Sequence, residues 1–72
     1  MDMRRLVGRN VKRFRLELGL TQEQFAERAG FSQQYISGLE SGLRNPTVVS
    51  LFELAQALET TPAVLITPKP GA

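Results

Sequence analysis

Apolar residues recur at helical spacing along most of the chain. Val7, Val11, Phe14 and Leu18 stand four, three and four apart, a single stripe that predicts a helix from about Met3 to Leu18, closed by Gly19. Thr21 reads as an N-cap, and Thr21-x-x-Gln24 fits a capping box. A second helix then runs to about Ala29, with Phe25, Ala26 and Ala29 turned inward. Gly30 can take the left-handed conformation that ends a helix and turns the chain. Ser32 caps a third helix, in which Ile36 and Leu39 share one inward face, and which ends near Ser41 with Gly42 as its stop. Beyond the loop Gly42-Leu43-Arg44-Asn45-Pro46, Thr47 is a better cap than Asn45 for a fourth helix burying Val48, Leu51, Leu54, Ala55 and Leu58. Thr61 with Pro62 opens a short fifth helix, since proline is well tolerated in a first turn. No segment reads as a strand, a repeat or a second domain. The expectation is an all-α, five-helix domain over residues 1–66, followed by a disordered tail at residues 67–72, which hold two prolines and no apolar period.

Composition narrows the chemistry. At 72 residues, such a chain buries only about 60% of its unfolded surface, so its stability is expected to be modest. It has no cysteine, hence no disulfide or thiolate metal site, and no histidine, hence neither the commonest general base nor the commonest metal ligand. The six glutamates and one aspartate are scattered without a paired motif. There is no glycine-rich phosphate loop. These absences argue against an enzyme and imply no metal and no cofactor. No apolar run approaches the roughly 18 residues that cross a membrane, and the N-terminal MDMRRLVGRN lacks a signal peptide's apolar segment. No membrane partner is expected, and a cytoplasmic location follows. Net charge is only +2, but six of the nine basic residues (Arg4, Arg5, Arg9, Lys12, Arg13, Arg15) precede Glu17. Such a run is ordinarily a solvated helix face, although it can also attract an anionic partner such as phosphate.

The stretch Gln22–Ser41, QEQFAERAGFSQQYISGLES, carries the most information. Two short helices crossing steeply need a small residue such as Ala26 at their contact, a glycine at the turn and branched apolar residues such as Ile36 and Leu39 to pack. The other face of the third helix is Gln33, Gln34, Ser37, Gly38 and Ser41, which is short, polar and uncharged. It suits base edges better than a core. Together with Val11-x2-Phe14-Arg15-x2-Leu18-Gly19-Leu20-Thr21-Gln22 before it and Asn45-Pro46-Thr47-x3-Leu51-x2-Leu54-Ala55-x2-Leu58 after it, the stretch resembles the phage repressor and Cro (XRE-like) helix-turn-helix family over roughly residues 6–66. The resemblance implies a lambda-repressor-like DNA-binding fold whose third helix enters the major groove of double-stranded DNA.

By that resemblance Gln33 and Gln34 read bases, an amide being able to pair with adenine N6 and N7; without it, two exposed glutamines are ordinary helix surface. Ser37 can reach a base or a phosphate. Gly38 departs from the family pattern, so that either the backbone approaches DNA there or one base position goes unread. Tyr35 either lies along the sugar-phosphate backbone or packs on the second helix. Gln22, at the start of the second helix, is implied to hold phosphate, and Ser41, Arg44 and Asn45 the backbone of the same half-site, which sets register but not sequence. Arg44 alone would also pass as an ordinary loop residue. Arg15 and Glu40 are implied to form a structural salt bridge between the first and third helices.

Phe52 is not needed by the fourth helix's inward stripe, and Val64 and Ile66 lie close to the C-terminus. These three are expected to form a homodimer contact, or else to complete a thin core. A two-fold dimer would set two third helices roughly 34–36 Å apart on a palindromic operator. The leading expectation is therefore a sequence-specific DNA-binding transcriptional regulator, a bacterial or phage repressor. A subtype is suggested by Tyr35-Ile36-Ser37-Gly38-Leu39-Glu40 and Arg44-Asn45-Pro46-Thr47, which also resemble controller proteins of restriction–modification systems. The alternative is an antitoxin or adaptor whose main partner is a protein. A chain this short leaves no room for a sensing domain, so regulation through concentration, dimerisation or a partner is expected.

Overall fold

In the computed structural model, which describes residues 1–69, every helix begins at a side-chain cap. Asp2 accepts from the Arg4 N–H at the start of α1 (Met3–Glu17), at 3.0 Å. Thr21 opens α2 (Gln22–Ala29) through a reciprocal box. Its hydroxyl accepts from the Gln24 backbone N–H at 3.1 Å while the Gln24 side-chain Oε1 accepts from the Thr21 N–H at 2.9 Å. The Ser32, Thr47 and Thr61 hydroxyls each accept one backbone N–H, from Tyr35, Ser50 and Val64, at the starts of α3 (Gln33–Glu40), α4 (Val48–Ala57) and α5 (Pro62–Leu65). Each cap satisfies one of the N–H groups that a helix start leaves without a partner. The described residues are all-helical with no strand.

All five helices contribute to one core. Val7, Val11, Phe25, Ala26, Ile36, Leu39, Leu54, Ala55, Leu58 and Leu65 are buried, with Phe14, Leu20, Ala29, Phe31, Tyr35 and Leu51 packed around them. Two expected core members are absent from it. Leu18, the C-cap of α1, is still in the right-handed helical region but is exposed at the helix end, while Leu20, beyond the turn, packs inward instead. Val48 is 81% exposed. It shares the azimuth of Ala55 but lies two turns earlier, past the edge of the packed layer. Ala57 and Leu6, which the periodicity did not single out, are buried.

The face of α1 toward α3 is built on a close backbone approach at Gly8. A Cβ there would lie 2.4 Å from the Leu39 carbonyl oxygen and 2.9 Å from that of Glu40. Only a residue without a side chain lets the end of α3 sit this low on α1. On its other side α1 carries Asn10, which is buried. Its Nδ2 donates to the carbonyls of Leu65 and Thr67, each at 2.9 Å, and of Val64 at 3.5 Å. The Val64 carbonyl also accepts from the Thr67 N–H at 3.3 Å, whereas the Leu65 carbonyl, at the end of α5, is of the kind a helix end leaves without a partner, so one amide both serves it and ties the C-terminal segment to α1. Thr67, which composition assigned to the tail, is thus held in place; residues 70–72 of that expected tail lie outside the described residues.

Gly8→Ala tests the close approach. Alanine gains about 1 kcal/mol of intrinsic helix stability, yet its methyl would collide with main chain, so a net loss of about 1–3 kcal/mol is expected. For a domain of this size that lowers Tm by roughly 4–8 °C per kcal/mol. Thermal melts followed by circular dichroism measure it; a variant melting with or above the parent would mean that α3 is not seated by this contact.

Candidate nucleic-acid interface

Of the two faces of α3, one is closed and one is open. Ile36 and Leu39 are fully buried, whereas Gln33, Gln34, Ser37 and Ser41 are exposed and Gly38 half-buried. At about 100° per residue, these five outward positions fall within an arc of roughly 140°. Gly30, the C-cap of α2 with φ +81°, and Ser32 make the turn that sets α3 across α2. Gln33, Gln34, Ser37, Gly38, Leu43 and Arg44 line an open groove of about 540 Å³. Its amide and hydroxyl groups both give and accept hydrogen bonds, the chemistry that base edges require.

The closed face is fixed by a charge pair at its end. Arg15 Nε donates to Glu40 Oε2 at 2.7 Å and Arg15 Nη2 to Oε1 at 2.9 Å, a bidentate fork. Arg15 Nη1 donates to the Leu20 carbonyl at 2.8 Å, and Gln22 Nε2 donates to Glu40 Oε1 at 3.2 Å. The two charged side chains are 9% and 4% exposed. One carboxylate therefore joins α1, α2 and α3. Gln22 is consequently not a free amide. It is half-buried with one N–H turned to Glu40, leaving its second N–H and the backbone N–H groups opening α2 for a phosphate.

Tyr35 is half-buried beside the turn that joins α2 to α3. Its ring stacks on Phe31, with centroids 4.7 Å apart and planes at 14°. The Arg44 guanidinium carbon lies 5.5 Å from the Tyr35 centroid. Ser41 and Asn45 are exposed in the segment after α3. The basic run of α1 does not form one uniform strip. Arg15 is spent on Glu40, Arg4 and Arg5 approach Asp2 at 3.7 and 3.8 Å, and Arg13 donates to Asn10 Oδ1 and lies over the Phe14 ring. Arg9 and Lys12 are exposed.

The three residues expected at a subunit contact are all exposed: Phe52, Val64 and Ile66. Val48 and Val49 on α4 are exposed as well and extend this apolar surface, which reading the stripe alone did not anticipate. Ile66 borders a hollow with Met3 and Leu51, whereas Val64 borders another with Ala63 and Arg13. Among the described residues there is no cluster of side chains able to hold a metal ion, and no helix is long and apolar enough to cross a membrane.

Comparison with known proteins places this arrangement. A helix-turn-helix family model matches residues 11–65. The chain is 62% identical over 68 residues to the uncharacterized HTH-type transcriptional regulator y4dJ of Sinorhizobium fredii, covering 94% of this chain and 88% of that one. Its fold matches the restriction–modification controller protein C.AhdI from Aeromonas hydrophila with a TM-score of 0.82 and 34% identity, covering 86% of this chain and 94% of that one. It also matches the biofilm regulator SinR, solved in complex with DNA, with a TM-score of 0.81 and 29% identity, covering 85% and 98%.

The charge pair generates a stability test. Glu40→Ala strands a buried guanidinium and is expected to cost about 3–5 kcal/mol, comparable with all the stability a chain this short usually has. Glu40→Ala combined with Arg15→Met removes the stranded charge, so the double variant is expected to melt above Glu40→Ala alone. Thermal scans of both chains check this, and a double variant less stable than the single one would rule out stranded charge as the cause.

Proposed function

We propose, since this chain belongs to the helix-turn-helix family of transcriptional regulators, that it acts by binding a specific operator in double-stranded DNA with α3 in the major groove. The observation that carries this reading is the position of Gln33 and Gln34. They stand clear of the protein on the first turn of a helix whose opposite face is locked into the core. That end of a recognition helix is the one that meets base edges. Gln33 and Gln34 read bases, with Ser37 beside them able to reach a base or a phosphate. Gln22, through its remaining N–H and the start of α2, holds phosphate together with Ser41 and Asn45. The solved SinR complex supports DNA as the ligand class. Occupancy of a promoter in the cytoplasm, with repression as its consequence, completes the reading.

Binding as a homodimer is favoured by the apolar side chains left on the surface, Phe52 on α4 with Val64 and Ile66 near α5. Burying such groups against a second copy removes apolar area from water and gives two recognition helices a fixed separation. The likeness to C.AhdI favours a controller-type regulator as the subtype. The same exposed residues support a second reading, an antitoxin or adaptor held by a different protein.

Two measurements test these proposals. In selection from random duplexes, the parent is expected to recover a defined sequence. Gln33→Ala and Gln34→Ala should each lose about 1–3 kcal/mol of discrimination at particular base pairs, and the log–log salt slope should be near −0.9 per phosphate contacted. Binding indifferent to both salt and sequence would refute DNA reading. For the dimer, sedimentation should show the parent associating and Phe52→Glu remaining monomeric; a parent that stays monomeric on a single, non-palindromic half-site would remove the two-fold contact.

A further inference from the structure

Although exposed, Arg44 does not extend straight out from its loop. It lies along α3, in the space left by the missing side chain of Gly38. A Cβ built on Gly38 would stand 3.2 Å from Arg44 Nε, 3.3 Å from its Cγ and 3.7 Å from its Cδ. The backbone after α3 produces this path. Gly42 takes φ +78°, the Gly42 N–H donates to the Leu39 carbonyl at 3.1 Å and the Leu43 N–H to the Gly38 carbonyl at 2.9 Å. This paired bonding reverses the chain at a helix end and returns Arg44 alongside the helix it has just left.

From Gly38 the side chain runs back toward the first turn of α3, because its guanidinium carbon comes within 5.5 Å of the Tyr35 ring centroid, one turn N-terminal to Gly38. That ring is itself held by stacking on Phe31. Arg44 lines the same groove as Gln33, Gln34 and Ser37. It is exposed and has no carboxylate within ion-pair distance among the described residues. A cation on an aromatic face, with its stem laid in a slot, arrives at DNA with much of its side-chain freedom already lost.

We propose that Gly38 and Arg44 form one composite reading position, in which the absent side chain of α3 is replaced by an arginine entering from the loop to take a guanine in the major groove. The fork of the guanidinium matches guanine O6 and N7, and its place beside the first turn puts that guanine next to the base pair met by Gln34. This rests on the reading of α3 as the groove-facing helix. It assigns Arg44 a sequence-reading role where a loop arginine at the rim would only hold phosphate.

The test is selection from random duplexes with four chains: the parent, Arg44→Ala, Arg44→Lys and Gly38→Gln, each checked for an unchanged helical spectrum. The parent should require a guanine at one fixed position. Arg44→Ala should lower preference for that guanine by roughly 5- to 150-fold, the range of a bidentate pair, and leave the other positions in place. Arg44→Lys keeps the charge but not the fork and should lose the same preference while retaining most of its salt dependence. Gly38→Gln fills the slot, leaves Arg44 in the sequence and should also lose that guanine. Arg44 variants that weaken all sequences equally, or a Gly38→Gln chain that keeps the guanine preference, would overturn the proposal while positions lost in Gln33→Ala or Gln34→Ala leave the groove-facing role of α3 standing. A parent with no preference at any position would overturn both.

Discussion

A helix of eight residues cannot hold its own shape in water, where isolated helices shorter than about 12–15 residues are marginal. Yet α3 must expose half of its circumference, so everything that keeps it helical has to act on the other half and on its ends. Ser32 secures the first turn, and Ile36 and Leu39 are buried in the core. The interaction that fixes the whole is at the last turn. There the Glu40 carboxylate receives two N–H groups from Arg15 of α1 and one from Gln22 of α2. With Leu39 and Glu40 pressed against Gly8, the C-terminal end is clamped and the N-terminal end stands free.

The reason for a charge pair at that point is directional. Apolar contacts are favourable in any orientation that buries them. Ile36 and Leu39 thus set how deep α3 lies, but hold its rotation about its own axis only loosely. A planar guanidinium on a planar carboxylate accepts a narrow range of geometries. A rotation of 10–20° at a helix surface is enough to spoil a binding constellation, so a fork at the helix end protects the aim of Gln33, Gln34 and Ser37 some distance away. A buried pair is weak evidence of stability in itself. Here its value lies in fixing orientation, and the added bond from Arg15 to the Leu20 carbonyl extends the lock to the turn between α1 and α2.

What the sequence made legible follows from how local each cause is. The caps Thr21, Ser32, Thr47 and Thr61 act within three residues of themselves, so the starts of α2 to α5 could be placed from neighbours alone. Period gives azimuth but not where the neighbouring helix stops, which is why Val48 was assigned to the core and stands in solvent. Gly8 and Asn10 carry partners about 30 and 55 residues away, and nothing adjacent in the chain announces them. The Arg15–Glu40 link came from a family pattern rather than from spacing. The polar face of α3 was visible in its residue types, but the course of Arg44 was not, because it is set by a side chain that is missing.

The bare surfaces of α3 and α4 differ in physical character. Glutamine and serine on α3 are well hydrated when free and exchange water for base edges at little cost, so that face can wait uncovered. Val48, Val49 and Phe52 on α4 cannot, since each exposed Å² of apolar area costs about 25 cal/mol in water. A marginal domain gains stability by mass action from whatever covers that stripe. If the cover is a second copy, the same burial that stabilises the fold also sets the distance between two α3 helices, and operator symmetry follows from subunit symmetry. If the cover is another protein, α3 reads alone and its site has no reason to be palindromic. The symmetry of the selected DNA therefore reports what lies on the far side of the molecule, on residues that touch no base.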